Sequence, residues 1–279
     1  GSSSFPTSNG LDVTFNSYQW GGNGADGMAF MLAAVNPADP TSPAAIGSSG
    51  GALGYSTAPG LVGLTNAYLG VGLDVHGNFS NLQYQGTGCT ALPNISSTNP
   101  GAVVVRGPGS AKVGYCGLAS SYDGTPGSKV TLRAATQAAS MVPVEVLINP
   151  TNASFTSASG VTVLSGTYKV VFTPVGSVVT QVLSGVLPGA AAGMYPSSTW
   201  TNAAGIPRQL AFGFVGSTGS VDDVHDVSNV NVLTFNSVPQ LAVNSVAYSA
   251  TSPAQGAPVN YSVLANVASG TSENSPVSI

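Results

Sequence analysis

The chain has 279 residues, of which 43% are hydrophobic and only 6% are charged, and its formal net charge is −4 at pH 7. This hydrophobic content supports a sizeable core and excludes a disordered polymer, while the length suits one large all-β domain with a small appendage. Six Lys and Arg against ten Asp and Glu leave no basic stripe for phosphates, which excludes nucleic-acid binding. We also expect no membrane insertion, because the sequence lacks an apolar run of about 18 residues.

Short strands dominate the predicted secondary structure, because Gly or Pro interrupts nearly every stretch that could continue as a helix. Alternating or wholly apolar runs predict strands at residues 11–15, 28–32, 103–105, 129–133, 142–148, 167–173, 177–183, 209–215 and 227–235. The turn Pro174-Val175-Gly176 predicts a hairpin, and the Ala-rich residues 133–141 and 187–194 are predicted to be loops. Many short strands separated by turn signals favour an antiparallel β-sandwich.

The composition changes after Phe235, and residues 256–263 resemble an early strand of the immunoglobulin-like repeats of bacterial surface proteins. The stretch that remains is too short for a complete module. It is therefore a linker plus a partial repeat, or a set of strands completed by another chain. We predict a first domain at residues 1–236 and this extension at residues 237–279. An unpaired edge strand would let like or neighbouring chains associate.

The two cysteines, Cys89 and Cys116, fit neither a CxxC pair nor a zinc cluster. We favour one disulfide over two free thiols, and a disulfide that closes a loop of roughly 27 residues contributes on the order of 3 kcal/mol. A disulfide indicates an oxidising compartment, so we expect a secreted or cell-surface protein.

An isolated acid, Asp26, lies between the glycine-rich loop that begins at Gly22 and the apolar run at residues 28–32. In a chain with so few acids it is either a turn-forming residue at the start of a strand or a binding residue at the rim of a sheet. Three further loops, near Gly50, Asp74 and Ser217, help to separate these alternatives.

Taken in order, the four loops resemble those of the legume-type (L-type) lectins, and more closely the bacterial lectin-like domains of exported surface proteins, over residues 11–235. The resemblance implies a concanavalin-like (jelly-roll) antiparallel β-sandwich. In the first loop it implies that Asp26 accepts hydrogen bonds from sugar hydroxyls and that the Ala25–Asp26 peptide bond is cis. In the second it implies that the Gly50-Gly51 turn brings a backbone N–H to the sugar, where glycine allows a close approach.

The third loop, residues 71–79, corresponds to the family's calcium loop. The resemblance makes Asp74, Asn78 and the backbone carbonyl of His76 calcium ligands, Asn78 a donor to the sugar, and His76 the residue that stacks on it. Calcium takes six to eight oxygens, and this stretch supplies two side chains and one carbonyl. Gly72 stands where the family's transition-metal Glu would be and Gln83 where an Asp would be, so no transition metal is expected.

The fourth loop, residues 217–221, corresponds to the variable loop that sets sugar preference, and Ser220 is its candidate contact. Asp222, Asp223 and Asp226 follow; they form either a solvated strand end, which we favour, or a calcium patch. His225 is expected to bond across the sheet as a structural residue.

These patterns predict an extracellular carbohydrate-binding domain of a bacterial surface adhesin, which binds glycans weakly and multivalently through four loops at one end of the sandwich. The alternative is a structural or adhesive subunit of a surface filament or stalk, which keeps the fold without sugar binding and assembles through edge strands. We do not expect an enzyme. Glycoside hydrolases need two carboxylates that face each other across the sugar, and the chain shows neither such a pattern nor a G-x-S-x-G elbow.

Overall fold

The computed structural model describes residues 4–92 and 94–235, together with the backbone of residues 240–248 and 261–269. Contacts divide the chain into two units, residues 1–233 and residues 234–279. Within the described residues no helix has the length and apolar character needed to span a membrane.

The first unit is built of short strands. In chain order they are β1 (Ser4–Pro6), β2 (Leu11–Trp20), β3 (Gly27–Ala34), β4 (Ala67–Asp74), β5 (Ala102–Arg106), β6 (Gly109–Ser110), β7 (Val113–Gly114), β8 (Gly117–Ser120), β9 (Val142–Asn149), β10 (Phe155–Thr156), β11 (Thr162–Val163), β12 (Thr167–Phe172), β13 (Gln181–Val186), β14 (Gln209–Ser217) and β15 (Val224–Leu233). Single 3-10 turns lie at Thr7–Asn9, Gly50–Ala52, Asn78–Ser80, Leu82–Tyr84, Pro126–Ser128 and Ser198–Trp200.

Two antiparallel sheets form a sandwich. The larger, eight-stranded sheet has the order β1-β14-β3-β4-β5-β8, with β6 pairing to β4 and β7, and the second has the order β13-β12-β9-β2-β15. Strands β10 and β11 form a separate two-stranded ribbon. The predicted fold class, an all-β concanavalin-like antiparallel β-sandwich, is confirmed.

The larger sheet is buried on both faces, which explains why β3 is apolar throughout. Phe30 and Leu32 belong to the main core, where they pack with Val13 of β2 and Val144 of β9. The intervening residues of β3 belong to a second cluster on the opposite face, which contains Ala29, Met31, Ala33, Leu53, Tyr55, Phe79, Val104 and Tyr115. A strand covered on both sides reads as a continuous apolar run, because neither face selects polar residues.

One predicted strand, residues 129–133, is wrong. The segment is extended, but its hydrogen bonds go to separate partners: Val130 N–H donates to Gly101 O at 2.8 Å, and Thr131 O accepts from Val175 N–H at 2.9 Å. Val130 and Leu132 are buried in the main core. The alternation arises because this extended segment packs over the core and buries every second side chain. It does not form the regular hydrogen-bond pairing of a strand with an adjacent strand.

The hairpin after residue 172 is real, but its second strand starts later than predicted. Gln181 pairs with Phe172, so the turn is longer than Pro174-Val175-Gly176. Ser177 N–H donates to Pro174 O at 3.0 Å, and the hydroxyls of Thr173 and Thr180 lie 3.1 Å apart across the base of the turn. The apolar residues after Ser177 predicted that strand pairing would begin there. Hydrogen bonds of the turn and of side chains take the place of those first pairing bonds.

The predicted disulfide is confirmed, because Cys89 and Cys116 are bonded to each other. A strand also precedes residue 11, since β1 pairs with β14.

In the second unit the structure describes one antiparallel pair, β16 (Gln240–Tyr248) with β17 (Tyr261–Ser269). Most of residues 256–263, on which the predicted repeat depends, lie outside the described residues.

Candidate functional site

Asp26 is fixed by main-chain bonds to two different loops. Its N–H donates to Ser217 O at 2.7 Å, and its carbonyl accepts from His76 N–H at 2.9 Å. The Ala25–Asp26 peptide bond is cis. The residue therefore joins the end of β14 to the turn after β4, directly before β3 begins.

The carboxylate of Asp26 keeps one oxygen without a partner. Oδ1 lies 3.5 Å from Asn78 Nδ2, at the outer limit of a hydrogen bond, whereas Oδ2 has no partner among the described residues. The residue is only 4% exposed. Burial raises the pKa of Asp26, partly offset by the charge of His76, the bond from Asn78 and the charge of His225. An acceptor is thus held behind the surface with half of its hydrogen-bonding capacity unused.

Two glycines border that unpartnered oxygen. A Cβ on Gly219 would lie 3.0 Å from Asp26 Oδ2, and a Cβ on Gly50 would lie 3.7 Å from it. Ser217 Oγ donates to Gly50 O at 3.0 Å, which ties the second loop to the fourth. The main chain of the second and fourth loops therefore lies beside Oδ2.

The second loop also contacts the third. A Cβ on Gly51 would lie 2.2 Å from Asn78 Cβ and 2.8 Å from the hydroxyl of Tyr84, so no larger residue fits there. Asp26, Gly50, Gly51 and Asn78 are therefore brought together.

The two other predicted sugar contacts, His76 and Ser220, are both exposed. His76 joins the site through its backbone, and Ser220 lies one residue beyond Gly219.

The predicted metal ligands do not fit a calcium ion. Asp74 is fully buried, its Oδ1 accepts from Gly77 N–H at 2.8 Å, and only its Oδ2 lacks a partner among the described residues. Asn78 Oδ1 accepts from the hydroxyl of Thr98 at 3.3 Å. The described residues contain no group of three His, Cys, Asp or Glu that could hold a metal. With calcium requiring six to eight oxygens, the contribution of Asp74, His76 and Asn78 falls far short.

Burial raises the pKa of Asp74 to about 8; the backbone N–H groups of Gly77 and Phe79 oppose the rise, Asp26 adds to it, and Arg106 opposes it.

The acidic stretch after Ser220 is only in part the solvated strand end that its sequence suggests, since Asp222 alone of the three acids is exposed. Asp223 is buried and forms an ion pair with Arg133 at 2.7 Å. Its Oδ1 also accepts from Gly22 N–H at 3.1 Å and Gly24 N–H at 3.3 Å. Asp226 Oδ2 accepts from Gln137 Nε2 at 2.9 Å. Asp223 is thus an anchor for the glycine-rich loop that leads to Asp26.

His225 does not make the predicted bond across the sheet. Its Nε2 is buried without a hydrogen-bond partner among the described residues. Gly216 gives the side chain room, because a Cβ there would lie 2.7 Å from His225 Cβ. Burial lowers the pKa of His225, against the charges of Asp223, Asp26 and Asp226.

Sequence reasoning missed Tyr84. Its hydroxyl borders Gly51, and burial raises the pKa of Tyr84, with further contributions from Asp26 and Asp74 and an opposing bond from Gln83. The residue is half-buried at the end of the turn Leu82–Tyr84, where Asn81 Oδ1 caps Gln83 N–H at 3.1 Å. Asn81 was the available signal, because a capping Asn predicts a helical turn after it, and that turn places Tyr84 close behind Asn78 in the chain.

No protein-family model and no curated protein matches the sequence. Among solved structures, the chain is similar to the VIP36 exoplasmic/lumenal domain in its Ca2+/Man-bound form, at 11% identity and a TM-score of 0.44, over 93% of this chain and 76% of that one. It is also similar to lectin II from Ulex europaeus, at 15% identity and a TM-score of 0.41, over 80% of this chain and 71% of that one. Arcelin-5, a lectin-like defense protein from Phaseolus vulgaris, matches at 13% identity and a TM-score of 0.39, over 83% of this chain and 71% of that one. All three TM-scores are below 0.5. The fold of this chain is therefore defined by its own strand order and register.

Proposed function

We propose that this chain is a carbohydrate-binding domain whose site is the junction of the four loops around Asp26. The observation that carries the proposal is the unpartnered Oδ2 of Asp26, a buried acceptor behind the main chain of Gly50 and Gly219. A sugar hydroxyl satisfies such an acceptor by donating to it. Leaving the acceptor unsatisfied costs about 1–3 kcal/mol, which favours a ligand that supplies the donor.

Neighbouring groups support a sugar ligand. Asn78 Nδ2 is a donor on the other side of the carboxylate, and Tyr84 adds a half-buried ring. A carboxylate, an amide and an aromatic ring together match a ring of hydroxyls with one apolar face. Thr218, Gly219 and Ser220 are exposed, and entry of the ligand requires this short segment to move away from Oδ2.

Binding at this site is weak. Each hydrogen bond contributes only about 1 kcal/mol net, so a shallow site with two or three contacts needs several copies for useful adhesion. We propose a secreted or cell-surface adhesin of a bacterium as the setting. The disulfide and the scarcity of charged residues support an extracellular location. We also propose that residues 237–279 are a linker and partial immunoglobulin-like repeat after a domain at 1–236.

The decisive experiment is a glycan array probed with the wild-type chain and with Asp26→Asn, which keeps the shape and removes the charge. Asp39→Asn is the control, since Asp39 is an exposed acid in a turn between β3 and the second loop. We expect the wild type and the Asp39 variant to share a glycan profile that the Asp26 variant loses. A folded wild type that gives a blank array refutes the proposal.

One observation favours the alternative, a structural subunit that pairs through an edge strand. Strand β13 is an edge of its sheet, and the exposed apolar residues on it or just before it are Val178, Val179, Val182 and Val186. A second copy of this chain could pair with this edge in antiparallel register. Light scattering distinguishes the two functions. A dimer that dissociates on Val182→Lys, but not on Leu61→Lys in an exposed loop, supports the subunit.

A further inference from the structure

Arg106, the last residue of β5, is a fully buried cation that holds the third loop from below. Its Nε donates to Phe79 O at 3.0 Å, and its Nη2 donates to Phe79 O at 2.5 Å and to Asn81 O at 3.0 Å. Its Nη1 donates to Tyr115 O at 2.8 Å. The guanidinium thus joins a carbonyl inside the turn Asn78–Ser80 and the carbonyl directly after it to a third carbonyl, that of Tyr115.

The packing around the guanidinium fixes its position. Its central carbon lies 4.9 Å from the ring centroid of Phe79, a cation–π contact in a buried site. Phe79 in turn lies over Gly72, where a Cβ would be 2.4 Å from Cδ1 of the ring. Gly72, Phe79 and Arg106 therefore form a stack that fills the space beneath the loop and leaves the guanidinium 0% exposed.

The charge of Arg106 is balanced without an ion-pair contact in the described residues. Three carbonyl oxygens, those of Phe79, Asn81 and Tyr115, accept its N–H groups. Burial lowers the pKa of Arg106 to about 10, against the charges of Asp74 and Tyr55, so the group remains a cation at neutral pH.

A cation that binds two carbonyls of one loop and ties them to a third, that of Tyr115, does for that loop what a bound calcium ion does with oxygens. Guanidinium does so with fixed geometry and without an ion to lose. The segment it holds, residues 77–85, carries Asn78 and Tyr84 on either side of the carbonyls of Phe79 and Asn81. The donor set around Asp74 does not fit calcium, so this covalently attached cation is the group that orders the loop.

We propose that Arg106 is a positioning residue that replaces a metal ion, so that the glycan site is assembled and works without calcium. The inference rests on the proposed function where it concerns sugar binding. Where it concerns the order of residues 77–85 it stands by itself, and the experiment reads the two separately.

The first arm uses the wild-type chain in calcium chloride and in a chelator. Thermal unfolding, amide hydrogen exchange of residues 77–85 and glycan binding are measured in both. We expect all three to be the same, because no cation has to bind for the loop to form. A rise in melting temperature with calcium, or faster exchange of the loop in chelator, overturns the proposal, since a ligand that binds the native state must stabilise it.

The second arm compares Arg106→Lys and Arg106→Met with Arg208→Met. Arg208 is an exposed arginine that also donates to a carbonyl, Thr201 O at 3.0 Å, so it controls for loss of an arginine as such. We expect exchange of residues 77–85 to accelerate by roughly tenfold or more in Arg106→Lys, with slow exchange kept in β2 and β9. Equal exchange in Arg106→Lys and wild type overturns the proposal.

The two proposals fail in different ways. A blank glycan array refutes sugar binding and leaves the exchange and calcium results intact. Glycan binding that requires calcium refutes the role of Arg106 and leaves the lectin function standing. If Arg106→Met does not fold, Arg106→Lys and the wild-type calcium comparison still decide.

Discussion

Arg133 donates to both carboxylate oxygens of Asp223, from Nε to Oδ2 at 2.7 Å and from Nη2 to Oδ1 at 2.7 Å. The same Nη2 donates to Gly22 O at 2.8 Å, and Asp223 Oδ1 accepts from the N–H groups of Gly22 and Gly24. One bidentate pair therefore clamps the glycine-rich loop from both sides, immediately before Asp26.

We expect Asp223→Asn to lower the free energy of unfolding by about 1–3 kcal/mol, because Arg133 loses its partner in a site that is buried on one side and partly exposed on the other. Asp222→Asn is the control, since that neighbour is exposed and contributes its carbonyl to the loop. Urea unfolding of both variants measures the difference. A loss as large in Asp222→Asn would contradict the clamp.

The same pair predicts a pH dependence. Burial alone would raise the pKa of Asp223, but the bonds and charge of Arg133 and the N–H groups of Gly22 and Gly24 outweigh it and lower the pKa. An acid with a lowered pKa stabilises the fold above its unfolded value of about 3.9, and this stability is lost as the pH falls through the folded pKa. The free energy of unfolding should therefore fall more steeply with decreasing pH, below about pH 4, in wild type than in Asp223→Asn. Identical acid transitions would be evidence against the clamp.

Gly51→Ala should block the site. The new Cβ would lie 2.2 Å from Asn78 Cβ, so the second and third loops must separate. We expect a loss of about 1–3 kcal/mol in stability and the loss of glycan binding. Gly127→Ala is the matched control, because a Cβ there meets nothing within 4 Å, and it should change stability by less than about 0.5 kcal/mol. Retained binding by a folded Gly51→Ala would remove this loop from the site.

Tyr84 should contribute through its ring. We expect Tyr84→Ala to weaken glycan binding by about 0.5–1.5 kcal/mol, roughly two- to tenfold, whereas Tyr84→Phe keeps most of the affinity. Titration followed by tryptophan fluorescence or NMR measures both. If Tyr84→Phe and Tyr84→Ala weaken glycan binding equally, the contact is made by the Tyr84 hydroxyl beside Gly51 and not by the ring.

Asp12 makes the fold less stable at neutral pH. Burial raises the pKa of Asp12 to about 6, with a further contribution from Glu145, and its Oδ1 has no partner among the described residues. An acid whose pKa is higher in the folded state than in the unfolded state stabilises the fold at pH values below its unfolded-state pKa. This stability is lost as the pH rises through its folded-state pKa. Asp12→Asn should therefore raise the stability at pH 7.5 by on the order of 1–2 kcal/mol and have little effect at pH 4. An equal effect at both pH values would mean that charge is not the cause.

Strand patterns in this sequence predicted most of the two sheets, because burial imposes period-2 or continuous apolar runs on strands such as β3 and β9. The same pattern misled at residues 129–133, where Val130 and Leu132 are buried by a covering segment. Periodicity reports which side chains are buried and carries no information on whether a ladder forms beside them.

Within the proposed site, Asp26 and Gly51 were predicted because four loops, taken in order, resemble those of the L-type lectins. The anchors Asp223 and Arg106 were not, since each acts through partners far along the chain: Arg133 for one, and the carbonyls of Phe79, Asn81 and Tyr115 for the other. A sequence does not show which charged residues are buried, because the groups that bind a buried charge lie far from it along the chain.

The loops of the site are joined mainly by main-chain atoms: Asp26 N–H to Ser217 O, His76 N–H to Asp26 O, and Asn23 N–H to Asp222 O. None of these bonds uses the side chains of Thr218 or Ser220, which are both exposed. Side chains at these two positions of the proposed glycan site can therefore be changed without loss of the bonds that join its loops. On the proposed function, a combinatorial library at these two positions, selected on immobilised glycans, should yield new sugar preferences at the parent melting temperature, so that this domain would serve as a scaffold for engineered glycan reagents.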